Sequence, residues 1–303
     1  MNQIFLDKLK TIVTEEKILI DEPMKKHITF RVGGPADYFI MPSTKEEVKQ
    51  VIDLCKESGV LYYVMGNGSN LLVSDKGYRG AIIQMSRGFA EVKVEGKEIT
   101  ASAGASLAKI ANAALDSELA GFEFAAGIPG CLGGACVMNA GAYGGEMKDV
   151  LKSVTVINNE GEIITIPKEE LELGYRTSII SKKGYVVLEA VIELHKGNKE
   201  EIKAIMDDLK ERRVTKQPLE FPSAGSTFKR PEGYFAGKLI QDTDLIGFRV
   251  GDAQVSEKHC GFVINAGEAT AEEINTLIGQ VIEKVHAKFG VTLEPEVKKL
   301  GEF

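Results

Sequence analysis

Three glycine-rich segments contain residues whose types and spacing could bind a ligand. They are Gly66-Asn67-Gly68-Ser69-Asn70-Leu71, GIPGCLGGA at 127–135 and NAGAYGG at 139–145. Glycine lets a ligand approach the backbone closely, and successive free N–H groups form a concave anion site. A diphosphate is the expected guest, although each segment could also be an ordinary turn in a chain with 32 glycines. Three such segments, two of them close together, favour the binding site.

These segments match neither common nucleotide-binding motif. Gly66–Leu71 begins like GxGxxG, but Leu71 stands at the last glycine position, so the Rossmann fingerprint fails. The sequence also contains no GxxxxGK[ST], so a P-loop is unsupported.

Several motifs together resemble one flavoprotein family. The loop at 66–71 followed by Gly-Ile-Pro-Gly at 127–130 is similar to the FAD-binding domain of the vanillyl-alcohol-oxidase type. Within that group the chain resembles the UDP-N-acetylenolpyruvoylglucosamine reductases (the MurB family), through TFRVGGPAD at 29–37, GYRTS at 174–178, SAGSTFK at 223–229 and LEPEV at 293–297. The resemblance implies an α+β fold, with a two-part FAD-binding domain and a C-terminal α+β substrate-binding domain.

The family resemblance also implies a reaction and a cofactor. NADPH would reduce bound FAD, and hydride would then pass to UDP-N-acetylglucosamine enolpyruvate, giving UDP-N-acetylmuramate for peptidoglycan. Related oxidases often attach FAD covalently through a His or Cys in the first loop. This loop offers Ser69 and Asn70, which cannot form that bond, so noncovalent FAD is expected. The residues expected to contact FAD are Gly66, Asn67, Gly68, Ser69, Asn70, Leu71, Gly127, Ile128, Pro129, Gly130, Gly133, Gly134, Ala135, Asn139, Ala140 and Gly141.

Three residues are implied in the chemistry of the second half-reaction. By resemblance, Arg176 and Glu296 contact the substrate carboxylate, where a fixed guanidinium suits an oxygen pair that gains charge. Ser226 is the implied proton donor, and only the family motif distinguishes it from Ser223. Arg176 is followed almost at once by the strand-like Tyr185–Leu188, as in shorter relatives that lack a tyrosine lid over the substrate.

The charged residues restrict the partners. Lys and Arg total 37 against 44 for Asp and Glu, a formal charge of −7, which disfavours nucleic-acid binding. Cations for a uridine diphosphate must therefore be local. The candidates are Lys216, Lys229, Arg230 and Lys298, each of which could equally be a solvated surface charge, and His259 is expected near the substrate. The four histidines share no close metal-ligand spacing, so no metal is expected.

The pattern of helix and strand signals indicates how these residues are positioned. Both kinds of signal alternate along the chain, as in α/β and α+β proteins. Helices are expected at 43–59 with a cap at Ser43, at 106–119, at 198–213 with Ile202 and Ile205 inward, and at 270–289; a strand is expected at 61–64 and a hairpin at 151–166. The expected domains are 1–85 and 86–215 for FAD and 216–290 for the substrate, and a return of 291–303 to the first is left open.

Localisation and two competing functions complete the expectations. No signal peptide and no apolar run of roughly 18 residues is present, so a cytoplasmic protein without membrane insertion is expected. A flavin oxidase or dehydrogenase of the same fold, acting on a hydroxy acid or alcohol, is one alternative. A flavin-binding or nucleotide-binding module without catalysis is the other. The sequence does not indicate the oligomeric state.

Overall fold

The computed structural model describes residues 2–303, and of Arg87 the backbone alone. Its helices begin mostly where a side-chain oxygen can accept a backbone N–H. Ser106 and Thr270 cap two of them, at the start of the helices that the sequence predicts at 106–119 and 270–289. The helices are α1 (Gln3–Ile12), α2 (Lys45–Glu57), α3 (Leu107–Asp116), α4 (Leu132–Met138), α5 (Met147–Val150), α6 (Ile179–Lys183), α7 (Lys199–Lys216), α8 (Ala236–Asp242) and α9 (Ala271–Phe289).

The expected start of α2 is wrong by one residue. Thr44, not Ser43, is the N-cap, and its hydroxyl accepts a hydrogen bond from the Glu47 N–H at 3.0 Å. The Ser43 N–H instead donates to the Glu47 carboxylate at 2.6 Å. In a regular capping box the glutamate side chain would accept the N–H of the cap residue itself. Here the Glu47 carboxylate accepts the N–H of Ser43, the residue before the cap.

The strands are β1 (Ile18–Pro23), β2 (Pro35–Ile40), β3 (Tyr62–Met65), β4 (Leu71–Val73), β5 (Tyr78–Gln84), β6 (Val92–Glu95), β7 (Glu98–Ser102), β8 (Leu119–Ala120), β9 (Gly141–Ala142), β10 (Gly145–Glu146), β11 (Leu151–Ile157), β12 (Ile163–Pro167), β13 (Val186–Glu193), β14 (His195–Lys196), β15 (Arg249–Val250), β16 (Ala253–Val255), β17 (Val263–Asn265) and β18 (Lys298–Leu300). They form sheets with the orders β1-β2-β5-β3, β12-β11-β13-β7-β6 and β15-β16-β17, and the pairs β10-β9, β14-β8 and β18-β4.

Contacts between segments divide the chain into two compact units. Unit 1 consists of the residues up to Leu19, Phe39–Asn67 and Ala81–Arg213. Unit 2 consists of Ile20–Tyr38, Gly68–Gly80 and Val214–Phe303. The domain bounds expected from the sequence stay a prediction.

Unit 1 is built around the antiparallel five-stranded sheet. Its hairpin β11–β12 lies where the sequence predicts one, and in its turn the Asn158 side-chain oxygen accepts the Glu162 N–H at 2.8 Å. Helix α4 packs against β13. Val154, Ala190 and Ala101, which lie opposite one another on β11, β13 and β7, are all buried. Burial of one strand face in this way fixes the register.

Unit 2 packs helix α9 against strands β15 to β17. The helix buries an apolar stripe at helical spacing, consisting of Ile274, Leu277, Ile278, Val281 and Val285. Strand β18 pairs in parallel with β4, with Lys298 opposite Leu71. The C-terminal segment therefore lies beside the end of the first glycine loop.

Helix α7 differs from its expected form. It continues to Lys216, and of its residues only Ile202 is buried, while the expected inward residue Ile205 is 49% exposed. Among the residues that the structure describes, no helix is long and apolar enough to cross a membrane.

Candidate functional site

The first two glycine segments meet within unit 1. A Cβ atom at Gly66 would lie 3.0 Å from Cβ and 3.1 Å from Sγ of Cys131. The backbone of Asn67 forms a hydrogen bond with the Cys131 thiol, and burial raises the pKa of that thiol. The thiol therefore stays protonated and joins the two segments by close packing.

Two adjacent glycines of the second segment have different surroundings. A Cβ at Gly133 would lie 3.0 Å from the Ala103 Cβ, so this glycine is needed for packing within the protein. A Cβ at Gly134, which is exposed, would meet nothing within 4 Å. The small size of Gly134 therefore leaves open surface at the start of α4, the kind of space that an extended cofactor such as FAD needs against backbone.

The remaining residues of this segment are mostly held by backbone bonds. The Ile128 N–H donates to Ala125 at 3.0 Å, and the Gly130 carbonyl accepts the Leu107 N–H at 3.1 Å. Ala135 is buried, and its carbonyl accepts the Ala140 N–H at 2.9 Å. The segment is thus a fixed loop rather than a loose one.

The second half of the first glycine loop lies in unit 2. Gly68 has φ +62°, and a Cβ there would lie 2.5 Å from the His27 carbonyl oxygen. The Thr29 N–H donates to the Gly68 carbonyl at 3.2 Å. Only glycine fits both the left-handed conformation and the close approach. Ser69 is half-buried and Leu71 is buried as the first residue of β4.

The third glycine segment holds the turn that carries Arg176. Asn139 is 1% exposed, and its side-chain nitrogen donates to the Gly174 carbonyl at 3.0 Å and to Glu146 Oε2 at 2.7 Å. Its side-chain oxygen accepts the Lys148 N–H at 2.8 Å. Both amide donors are therefore used within the protein. Contact between this segment and FAD stays a prediction.

Arg176 lies at the tip of a tight turn. Gly174 and Thr177 exchange backbone hydrogen bonds of 3.1 and 3.3 Å. Between them, Arg176 has φ +55°, a conformation that residues with a Cβ seldom adopt. Its guanidinium lies 5.1 Å from the centre of the half-exposed Tyr175 ring. Such strain is commonly found where a side chain must be presented to a ligand.

In unit 2, Ser226 lies beside the segment that carries Glu296. The Glu296 N–H donates to the Thr227 carbonyl at 2.8 Å, and Phe228 pairs with Pro295 as an isolated antiparallel bridge. Ser226 is exposed and Glu296 half-buried. The Asn70 side chain donates to the Glu296 carbonyl at 3.2 Å, so the second half of the first glycine loop contacts the same segment.

Ser223 has a different position from Ser226. It forms an isolated antiparallel bridge with Ile264. It therefore lies opposite β17 rather than opposite the segment of Glu296. The fold thus separates two serines that the sequence could not rank.

His259 is connected to Thr227, the residue after Ser226, by hydrogen bonds to the backbone of Gly261. The Gly261 carbonyl accepts the Thr227 N–H at 2.8 Å, and the Gly261 N–H donates to Nδ1 of His259 at 3.1 Å. The imidazole packs edge-on against Phe262, with ring centres 4.9 Å apart. Burial lowers the pKa of His259, which favours a neutral ring whose Nε2 carries the proton.

The four predicted cations differ in their surroundings. Lys229 forms an ion pair with Glu294, and the Arg230 guanidinium lies 3.9 Å from the centre of the Phe235 ring. Lys216 and Lys298 are exposed, the former as the last residue of α7. The Lys298 N–H donates to the Asn70 carbonyl at 3.0 Å.

Arg213 is a further cation that the sequence did not single out. Its side chain lies next to Gly127, where a Cβ would be 3.4 Å from both Cδ and Nη1 of Arg213. Burial lowers the pKa of Arg213, and no carboxylate in the described part of the chain forms an ion pair with it. Arg212, by contrast, pairs with Asp208 at 2.9 Å. Only the fold, which places the Arg213 side chain beside Gly127, distinguishes these two arginines.

Two family models match separate parts of the chain. Residues 36–167 match the model described as "FAD binding domain", and residues 217–300 match "UDP-N-acetylenolpyruvoylglucosamine reductase, C-terminal domain". A protein of Clostridioides difficile named UDP-N-acetylenolpyruvoylglucosamine reductase is 56% identical over 301 residues, which is 99% of each chain.

The chain belongs to the UDP-N-acetylenolpyruvoylglucosamine reductase (MurB) family.

Solved structures agree with this membership. The crystal structure of MurB from Thermus caldophilus matches with a TM-score of 0.79 and 34% identity, covering 94% of this chain and 98% of that one. Phl p 4.0202, a glucose dehydrogenase, matches at 15% identity with a TM-score of 0.50, over 72% of this chain and 51% of that one, and shows likeness of fold alone. The predicted family, the fold class and the FAD-binding domain are confirmed.

Proposed function

We propose that the protein reduces UDP-N-acetylglucosamine enolpyruvate to UDP-N-acetylmuramate, with NADPH as reductant and noncovalent FAD as cofactor. The observation that supports this most is the 56% identity to the Clostridioides difficile protein named UDP-N-acetylenolpyruvoylglucosamine reductase, over 99% of both chains. The motif residues Ser226 and Glu296 also lie on hydrogen-bonded neighbouring segments.

FAD fits the glycine segments that the structure describes. The open surface at Gly134 leaves room for the cofactor, while the close approaches at Gly66 and Gly68 hold the first loop against neighbouring parts of the protein. When bound, FAD supplies hydride transfer between NADPH and the enolpyruvyl group. The first glycine loop and the second segment would hold it, without a His or Cys in the first loop to form a covalent bond.

Arg176 and Glu296 are proposed to bind the substrate carboxylate. Hydride addition to the distal alkene carbon leaves negative charge at the neighbouring carbon, which is delocalised into that carboxylate. A guanidinium held at the tip of a closed turn is a preorganised partner for such charge, because little reorganisation is needed as the charge develops. The half-exposed position of Arg176 leaves it accessible to a ligand.

Ser226 is proposed to donate the proton to that neighbouring carbon. A serine hydroxyl is a weak acid, but an enediolate is strongly basic at carbon, so a well-placed hydroxyl is sufficient. The exposed position of Ser226 next to the segment of Glu296 supports this choice over Ser223, which pairs with β17 instead.

Arg213 is proposed as a cation for a diphosphate at the second glycine segment. It lies beside Gly127 with no carboxylate partner among the described residues, whereas Lys229 is neutralised by Glu294. An unpaired, half-buried guanidinium is a strong anion ligand because its charge is poorly solvated.

NADPH and UDP-sugars are cytoplasmic metabolites, so we place the reaction in the cytoplasm.

An anaerobic absorbance experiment tests the whole reaction. The purified protein should show flavin bands that bleach with NADPH and return on addition of UDP-N-acetylglucosamine enolpyruvate. Bleaching without return would move the substrate elsewhere, towards an oxidase or dehydrogenase of the same fold. A protein that takes up no FAD at all would refute the proposal.

A further inference from the structure

We propose that Asn139 is a positioning residue for Arg176: its side chain holds the Gly174–Thr177 turn in the conformation that presents the guanidinium to the substrate carboxylate. This inference depends on the role proposed above for Arg176. It differs from the sequence-based expectation that Asn139 contacts FAD.

The turn needs an external anchor because its own bonds close only its base. Gly174 and Thr177 are joined by two backbone hydrogen bonds, while Arg176 between them is left-handed at φ +55°. A residue with a Cβ keeps this conformation only when its surroundings determine it. The Gly174 carbonyl accepts a second bond, at 3.0 Å, from the Asn139 side chain, and this bond ties the turn to the end of α4.

The anchor itself has a single favourable orientation. The side-chain oxygen of Asn139 accepts the Lys148 N–H at 2.8 Å, and its nitrogen also donates to Glu146 Oε2 at 2.7 Å. A flipped amide would place its oxygen against the Glu146 carboxylate and the Gly174 carbonyl. The three bonds therefore fix the amide, which is 1% exposed.

A second side chain fastens the other end of the same segment. Ser178 is fully buried, and its hydroxyl donates to the Val137 carbonyl at 2.7 Å. The GYRTS segment is thus joined to the C-terminal end of α4 at two points, Asn139 and Val137, one on each side of Arg176. This arrangement explains why an asparagine stands in a glycine-rich segment yet directs its donors into the protein.

Asn158 provides a matched control in the same unit. Its nitrogen donates to Glu162 Oε2 at 3.0 Å, and its oxygen accepts the Glu162 N–H at 2.8 Å. It therefore resembles Asn139 in bonding a glutamate and a backbone N–H, but it lies in the β11–β12 hairpin. Asn158→Asp removes the same kind of donor without touching the turn.

The test measures the two half-reactions separately in FAD-loaded variants. Asn139→Asp keeps the acceptor for Lys148 but loses both donors, and Asn139→Gly tolerates the left-handed φ of +44° without adding a charge. With either variant, flavin content and bleaching by NADPH should match the unmodified protein. Reoxidation by UDP-N-acetylglucosamine enolpyruvate should slow by about 10²-fold, since misplacement of a catalytic group by about 1 Å costs this much.

The double variant decides whether Asn139 acts through Arg176. If it does, Asn139→Gly combined with Arg176→Ala should be no slower in reoxidation than Arg176→Ala alone. Multiplicative slowing, an equal slowing by Asn158→Asp, or loss of FAD from the Asn139 variants would overturn the proposal. Unchanged reoxidation in the Asn139 variants, with slowing in Arg176→Ala, would refute the positioning role alone. Unchanged reoxidation in Arg176→Ala would also refute the proposed role of Arg176.

Discussion

The backbone N–H of Glu296 donates a 2.8 Å hydrogen bond to the carbonyl oxygen of Thr227. Thr227 is itself fully buried, and its hydroxyl accepts the Val263 N–H at 2.9 Å. Two segments distant in sequence are therefore locked side by side. Since Ser226 immediately precedes Thr227, the serine and the glutamate that the family motifs indicate have a fixed spacing.

Ser226→Ala should slow protonation of the substrate without slowing reduction of the flavin by NADPH. NADPH should still bleach the flavin at the usual rate, because that step requires no proton from Ser226. Formation of UDP-N-acetylmuramate should fall by roughly 10²–10⁴-fold, the usual contribution of a general acid. Stopped-flow absorbance of each half-reaction measures both rates.

Ser223→Ala is the matched control for this experiment. Ser223 pairs with Ile264 on a different strand, so its loss should leave product formation within about threefold of the unmodified protein, as for most substitutions away from a site. Unchanged turnover in Ser226→Ala, or an equal fall in Ser223→Ala, would remove Ser226 from the mechanism.

Gly134→Ala should stabilise the apoprotein while weakening FAD binding. An alanine in a helix is favoured over glycine by about 0.5–1 kcal/mol, and its Cβ would meet nothing within 4 Å. The same methyl group would occupy space proposed for the cofactor, at a cost of about 1–3 kcal/mol, or roughly 5–150-fold in Kd. Thermal unfolding and fluorescence titration with FAD measure the two effects.

Gly133→Ala provides the contrast, since its Cβ would lie 3.0 Å from that of Ala103 inside the protein. It should lower the free energy of unfolding of the apoprotein by about 1–3 kcal/mol. If Gly134→Ala bound FAD as tightly as the unmodified protein, the open surface at the start of α4 would not be part of the cofactor site.

Gly68→Ala should lower stability more than the left-handed backbone alone explains. Gly68 and Gly96 have nearly equal φ values of +62° and +63°, but only a Cβ at Gly68 meets a backbone atom, the His27 oxygen at 2.5 Å. Gly96→Ala should cost only the conformational term, about 1–2 kcal/mol. The excess loss in Gly68→Ala, measured by denaturant unfolding with and without FAD, gives the value of the close approach; equal losses would contradict it.

Local signals in the sequence predicted the elements that depend on neighbours along the chain. The helices that begin after Ser106 and Thr270 and the hairpin at β11–β12 all follow from spacing within one or two turns. The MurB-type motifs were likewise recognisable, because each is a short contiguous stretch of sequence.

Features that depend on distant partners were not predictable in the same way. The bond from Asn139 to Gly174 joins residues far apart in sequence, and so does the parallel pairing of β18 with β4, of which the sequence left open only that 291–303 returns to the first domain. Local spacing carries no information on such pairs. The exposure of Ile205 has the same cause, since an amphipathic pattern shows which face could be buried and not whether a partner covers it.

His259 should make the stability of the fold depend on pH in the mildly acidic range. Burial lowers its pKa in the folded state, whereas an unfolded histidine titrates near 6.5. As pH falls below about 6.5 the unfolded chain therefore takes up the proton first, and the free energy of unfolding decreases, by at most about 1.4 kcal/mol per pH unit. His259→Asn keeps an acceptor for the Gly261 N–H but cannot titrate. Urea unfolding between pH 7.5 and 5.5 should give a steeper decline for the unmodified protein than for this variant, and parallel profiles would show that His259 is not buried as a neutral ring.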